Sequence, residues 1–136
     1  MFVAAIVLLY LGGANSFIER YAGTCMMGSA DEQFGIWLSI ILYGLALFCV
    51  FRSTPSRAGL IALAPLLAPL WMQVDFAARF GFAYFVRGIS ICSFLGQWMP
   101  IEYDHDGREF QIWLLWTITS VLAILVITVS IRKAFR

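Results

Sequence analysis

The sequence predicts an all-α integral membrane protein: a four-transmembrane-helix bundle with an additional amphipathic or re-entrant outer helix. Three observations predict it. Hydrophobic residues make up 62% of the chain and charged residues only 12%, about half the charged share of an average soluble domain. Four long segments carry no charge at all, and the charges that remain are sorted by connection. The 136 residues suffice for one domain, a single membrane domain spanning 1–136.

The first expected span, residues 1–18, contains "MFVAAIVLLYLGGA". Its small residues Gly12, Gly13 and Ala14 resemble a signal-peptide cleavage region, but the basic segment that normally precedes one is missing, so the helix is read as retained. Residues 34–51, 58–74 and 111–131 follow, each of 17 to 21 uncharged residues. At about 1.5 Å per residue such lengths reach roughly 25–32 Å, the thickness of a bilayer's hydrocarbon core.

Between the third and fourth spans lies the segment 75–99, "DFAARFGFAYFVRGISICSFLGQWM". Asp75, Arg79, Ala83, Arg87, Ser90 and Gln97 recur at helical spacing, while Phe76, Phe80, Phe82, Tyr84, Phe85, Ile89 and Ile91 cover most of the remaining surface. This amphipathic pattern predicts a helix lying at the outer membrane surface or folding back shallowly into it; the alternative is a tilted span with its polar stripe turned inward. Asp75 and Arg79 also form an i,i+4 pair. An outer polar loop, 100–110, then leads into the last span.

Charge placement orients the bundle, because short cytoplasmic loops are enriched in Lys and Arg. The 52–57 connection "RSTPSR" carries Arg52 and Arg57, the tail "RKAFR" carries Arg132, Lys133 and Arg136, and neither contains an acid. Both are expected in the cytoplasm with both termini, and the acid-containing connections are expected outside. Four spans satisfy every assignment, whereas five would place one basic segment outside. The compact chain, beginning at once with a span, points to a bacterial inner membrane. The net charge of +1 supplies no field for nucleic acid, so the expected partners are the lipid bilayer and another membrane protein or copies of the chain itself.

Several features bear on chemistry. Cys25 and Cys92 fall in the two outer connections, so an oxidising compartment would allow a disulfide between them; the plainer reading is that all three cysteines, with Cys49, are small buried residues. Pro65 and Pro69 in "PLLAP" remove backbone donors and predict a helix kink, which either exposes carbonyls to a ligand or lets Ala62, Ala64 and Ala68 pack closely against a neighbour. No ionisable residue lies deep within a span, which weighs against a pump or coupled transporter. Trp37, Trp71, Trp98, Trp113 and Trp116 fall near the expected outer ends and read as an aromatic belt.

"PIEYDHDGREF", residues 100–110, is the densest polar cluster and holds the single histidine. Glu102, Asp104, Asp106 and Gly107 match positions 1, 3, 5 and 6 of a calcium loop, but position 12 is Trp113 where a bidentate Glu is required. Zinc would need ligands besides His105. A hydrolase would need His105, Asp104 or Asp106, and a nucleophile such as Ser90, Ser93 or Cys92, yet neighbouring residues on an extended loop point in different directions. Turn chemistry and acid preceding a helix N-terminus account for the segment more simply. No catalytic residue, metal or cofactor is therefore assigned. The expected function is protein–protein interaction, as an accessory or assembly subunit of a membrane complex or as a membrane immunity or exclusion factor. Its outer recognition surface would comprise Asp75, Arg79, Arg87, Glu102, Asp104, His105, Asp106, Arg108 and Glu109. The alternative is a homo-oligomeric channel or a small lipid-handling membrane enzyme.

Overall fold

Three of the four long uncharged segments lie within single α-helices, and the remaining one, 58–74, is helical with a break around Pro65. The computed structural model describes residues 1–22, 29–89, 94 and 108–136, with side chains at 1–18, 36–89, 94 and 110–136. The elements are α1 (Phe2–Ala22), α2 (Ser29–Phe51), a short α3 (Arg57–Ile61), a 3-10 turn (Ala64–Leu66), α4 (Leu67–Arg87) and α5 (Arg108–Ala134), with no strand among the described residues. Two segments, Arg57–Arg87 and Phe110–Ala134, are long and apolar enough to cross a membrane, and Phe2–Ile18 and Ile36–Phe51 are shorter apolar helices.

The four long helices form a ring in the order α1, α2, α5, α4, with α1 and α4 touching least. Hydrogen bonds and close contacts set their directions. Asn15 reaches Ser39 while the earlier Gly12 faces the later Tyr43, so α1 and α2 are antiparallel. Gln73 bonds Thr119 and the carbonyl of Ala77 bonds Trp113, so α4 and α5 are also antiparallel. The chain crosses the bundle between α2 and α4 through α3, whose Gly59 lies against Phe2 and which also touches α5.

Both termini and the 52–56 connection meet at one end, here termed the basic end. Lys133 Nζ donates to three carbonyl oxygens there, Val50 at 2.9 Å, Phe51 at 2.8 Å and Ser53 at 2.6 Å. Val50 and Phe51 close α2, where the carbonyls carry the negative pole of the helix dipole, and Ser53 follows it; the Val50 carbonyl also accepts from the Ser53 amide and hydroxyl, each at 3.2 Å. Arg57 lies over the Phe135 ring, 5.1 Å from its centroid, which ties the crossover to the tail.

The prolines lie at the junction of two helices. Ser56 caps α3 by accepting from the Gly59 amide at 3.1 Å. The backbone then tightens into i→i−3 bonds, Leu63 to Leu60 and Leu66 to Leu63, around Pro65, which has no amide to offer. Pro69 occupies the first turn of α4, where an amide would have no intrahelical acceptor. The Ala62 carbonyl left over at this break accepts a hydrogen bond from the Tyr10 hydroxyl of α1 at 2.8 Å.

α4 runs unbroken through Val74 and Asp75, the expected border between the span 58–74 and the outer segment 75–99. The composition changes at that point, but no residue there stops a helix. The stop is Gly88, whose φ of 62° is left-handed and whose amide bonds the Tyr84 carbonyl. Beyond it Phe94 returns to the bundle, with its ring 5.7 Å from both Phe76 and Phe80.

The interior divides into two clusters. Toward the basic end Ala5, Leu9, Tyr43, Ala46, Val50, Leu63 and Val126 form an aliphatic core with one aromatic ring. Gly12 makes this packing close, since a Cβ there would lie 2.7 Å from the Tyr43 ring. Toward the distal end Phe76, Phe80 and Trp116 form an aromatic core with Ile36, Ile112 and Leu115. Ser16, Ser39, Gln73, Thr119 and Ser120 are all buried at or between these clusters.

Candidate functional site

The distal half of α4 brings three of the predicted surface residues together. Arg79 Nε donates to Asp75 Oδ1 at 2.8 Å, one helical turn apart, with Arg79 more exposed than Asp75. An exposed pair of this kind contributes a few tenths of a kcal/mol, so its interest is positional. Two turns beyond Arg79, Arg87 sets its guanidinium over the Phe82 ring at 5.6 Å. Arg79 and Arg87 both line one open cavity of about 440 Å³, walled by Phe82, Ala83, Ile89 and Phe94. The site is thus cationic and aromatic at one wall and apolar elsewhere.

The aromatic core supports this wall from behind. Phe80 is fully buried, and Phe76 lies 5.3 Å from Trp116, a spacing at which aromatic pairs add about 0.5–1.5 kcal/mol beyond their buried area. Trp113 lays its indole on Gly81, where any side chain would collide with it, and donates Nε1–H to the Ala77 carbonyl at 3.1 Å. Phe85 meets Trp113 edge to face at 4.9 Å. Of the expected tryptophan belt, Trp37 and Trp71 are exposed, whereas Trp116 belongs to the core.

A second cavity, about 270 Å³, runs along the α4–α5 seam between Val74, Ala77, Trp113, Thr117, Val121 and Ile124. Ala78 borders both cavities. Thr117 and Ser120 also border the seam, but their hydroxyls are turned into their own helix, donating to the Trp113 and Trp116 carbonyls at 2.8 Å. The seam therefore presents an almost wholly apolar surface.

A polar layer crosses the bundle beneath the aromatic core. Gln73 Nε2 donates to Thr119 Oγ1 at 2.7 Å, and Thr119 passes its proton toward the Leu115 and Trp116 carbonyls. Asn15 Nδ2 donates to Ser39 Oγ at 2.9 Å, and Ser39 donates to the Gly12 carbonyl at 3.2 Å. Two small cavities, about 10 and 20 Å³, sit where α1 and α4 meet and share Gly13, Pro69 and Gln73. Each has room for about one water molecule. Sequence reasoning passed over this layer; its signal was the chain's one asparagine and a glutamine inside otherwise apolar segments.

Other predicted residues fall elsewhere. Arg108 and Glu109 begin α5, with side chains outside the described set. Cys25, Cys92, Glu102, Asp104, His105 and Asp106 lie outside the described residues, so the disulfide and the polar loop stand as expectations. Cys49 is a free, half-buried thiol near the basic end. Among the described residues no three His, Cys, Asp or Glu side chains gather in a way that would hold a metal ion. Compared with known proteins, the chain matches no family model, no curated protein and no solved structure.

Proposed function

We propose that the chain is a polytopic protein of a bacterial inner membrane, with both termini in the cytoplasm, and that it acts through protein–protein interaction at its distal face. It would serve as an accessory or assembly subunit of a membrane complex, or as an immunity or exclusion factor. The observation that carries the membrane reading is an exterior as apolar as the core. Val3, Leu11, Ile41, Phe48, Trp71 and Val121 are exposed around the bundle, while Ser39, Gln73, Thr119 and Ser130 are buried within it. Water disfavours so many large apolar side chains on the outside; in lipid they face outward at no cost and interior polar groups bond across helices.

The cytoplasmic assignment of the basic end is supported by the clustering of Arg52, Arg57 and Lys133 there. Support for an interaction role is the cation-bearing aromatic wall at the opposite end, since Arg and aromatic side chains predominate in interface anchors.

Orientation is tested in a cysteine-free background carrying Ser56→Cys. In intact spheroplasts a membrane-impermeant maleimide leaves this residue unlabelled, and labels it once the membrane is broken; labelling in intact spheroplasts overturns the orientation. Interaction is tested by purification in mild detergent. A stoichiometric partner is expected; a monodisperse monomer binding nothing overturns the interaction role.

A further inference from the structure

We infer that the distal arginine wall and the α4–α5 seam together form a site for one anionic glycerophospholipid of the distal leaflet, phosphate between Arg79 and Arg87 and an acyl chain in the seam. This inference rests on the membrane reading above. It arises from two cavities of different chemistry that meet at one exposed residue, Ala78.

The upper cavity has the features of a headgroup site. Its volume, about 440 Å³, falls in the range of small-molecule pockets. Two guanidiniums border it, and these groups match phosphate oxygens in planar geometry. Phe82 and Phe94 form the apolar floor on which a glycerol backbone would rest. Asp75 accepts from Nε at one edge of the Arg79 guanidinium and leaves its terminal nitrogens for a second acceptor. Asp75 thereby offsets one of the two positive charges, so the ligand's negative charge is held mainly by Arg87.

The lower cavity has the dimensions of an acyl chain. From Trp113 to Ile124 it follows α5 over twelve residues, eleven rises or about 16 Å, against about 15 Å for half of the hydrocarbon core. Headgroup and tail sites thus succeed each other in the order a phospholipid requires, charged groups toward the distal end and apolar surface toward mid-bundle. Exposed apolar surface alone would accommodate any lipid; the arginine pair makes this one selective for anionic headgroups.

The test is native mass spectrometry of the purified full-length chain exposed to an equimolar mixture of phosphatidylglycerol and phosphatidylcholine with identical acyl chains. Phosphatidylglycerol should be retained preferentially. Arg79→Gln and Arg87→Gln should each reduce that preference, by about fivefold for Arg87 and less for the Asp75-paired Arg79. Asp75→Asn should increase it, a gain that a merely structural role for Asp75 would not produce. Ala78→Trp, which fills the junction without altering charge, should abolish retention of either lipid at this site. Equal retention of the two lipids, or a wild-type preference in the double Gln variant, overturns the inference, as does displacement of phosphatidylglycerol by inorganic phosphate alone. Flotation with pure phosphatidylcholine vesicles separates the two claims: a chain that floats yet shows no headgroup preference loses only the lipid site, whereas one that does not float loses the membrane reading as well.

Discussion

The two halves of the bundle are held by different means. Toward the basic end, small and aliphatic side chains let helices approach closely, with Gly12 receiving the Tyr43 ring and Lys133 binding three carbonyls at the end of α2. Toward the distal end, large rings separate the helices, and Phe76, Phe80, Tyr84, Phe94 and Trp113 fill the space between them. Open grooves occur in both halves: the distal one bordered by Arg79 and Arg87, and one of about 270 Å³ near the basic end, lined by Leu60, Leu63, Leu67, Ile127, Ile131 and Phe135. What sets the distal groove apart is its chemistry, since Arg79 and Arg87 border it whereas the lining of the basic-end groove is wholly apolar, and for that reason the candidate site is placed in the distal half.

The largest effect that would sharpen this comparison is Phe80→Ala. Phe80 has no exposed surface and touches Phe76, Tyr84 and Phe94, so the truncation should cost about 3–5 kcal/mol in reversible unfolding from mixed micelles. Near-ultraviolet aromatic dichroism should fall with it; an unchanged spectrum and stability would show that the rings do not hold the distal half together. Gly12→Leu probes the other half. Overpacking against Tyr43 should cost about 1–3 kcal/mol and leave the aromatic dichroism from Phe80 and Trp116 in place.

Lys133→Met should cost about 1–2 kcal/mol by taking the ammonium donor from the Phe51 and Ser53 carbonyls, while Val50 keeps the Ser53 amide and hydroxyl. Its sharper signature is faster hydrogen exchange at the end of α2 with no change in α4. The smallest expected effect is that of Gln73→Leu, about 0.6 kcal/mol, the typical worth of an interhelical hydrogen bond in a membrane bundle. Thr119 keeps its backbone acceptors when Gln73 is gone. A loss several times larger would mean that the polar layer, and not the two apolar clusters, governs stability.

Part of this was legible in the linear chain. Uncharged runs of adequate length and the absence of acid from 52–57 and the tail point to four long helices and one basic end. Asp75, Arg79 and Arg87 stood out by helical spacing, and the structure sets all three on one side of α4. The extent of α4 was less legible. The shift to aromatic and charged residues at Asp75 reads as a change of element, yet a helix ends where its backbone is interrupted, and that happens at Gly88. Lys133 read as an orienting charge; that it also caps α2 depends on a neighbour more than eighty residues earlier in the chain.

The sequence by itself determined what is local and periodic: helical segments, their polarity, and the sorting of basic residues to one end. These follow from residue-by-residue propensity and side-chain repeat, which need no knowledge of neighbours. Only the tertiary structure decided the ring order of the helices, the pairing of Tyr10 with the carbonyl beside the proline break, and the meeting of two cavities at Ala78. Those depend on which apolar face meets which, and with so many large apolar side chains on every helix the sequence leaves many faces nearly equivalent. The choice among them is made by shape, ring against glycine and amide against hydroxyl, once the helices are side by side.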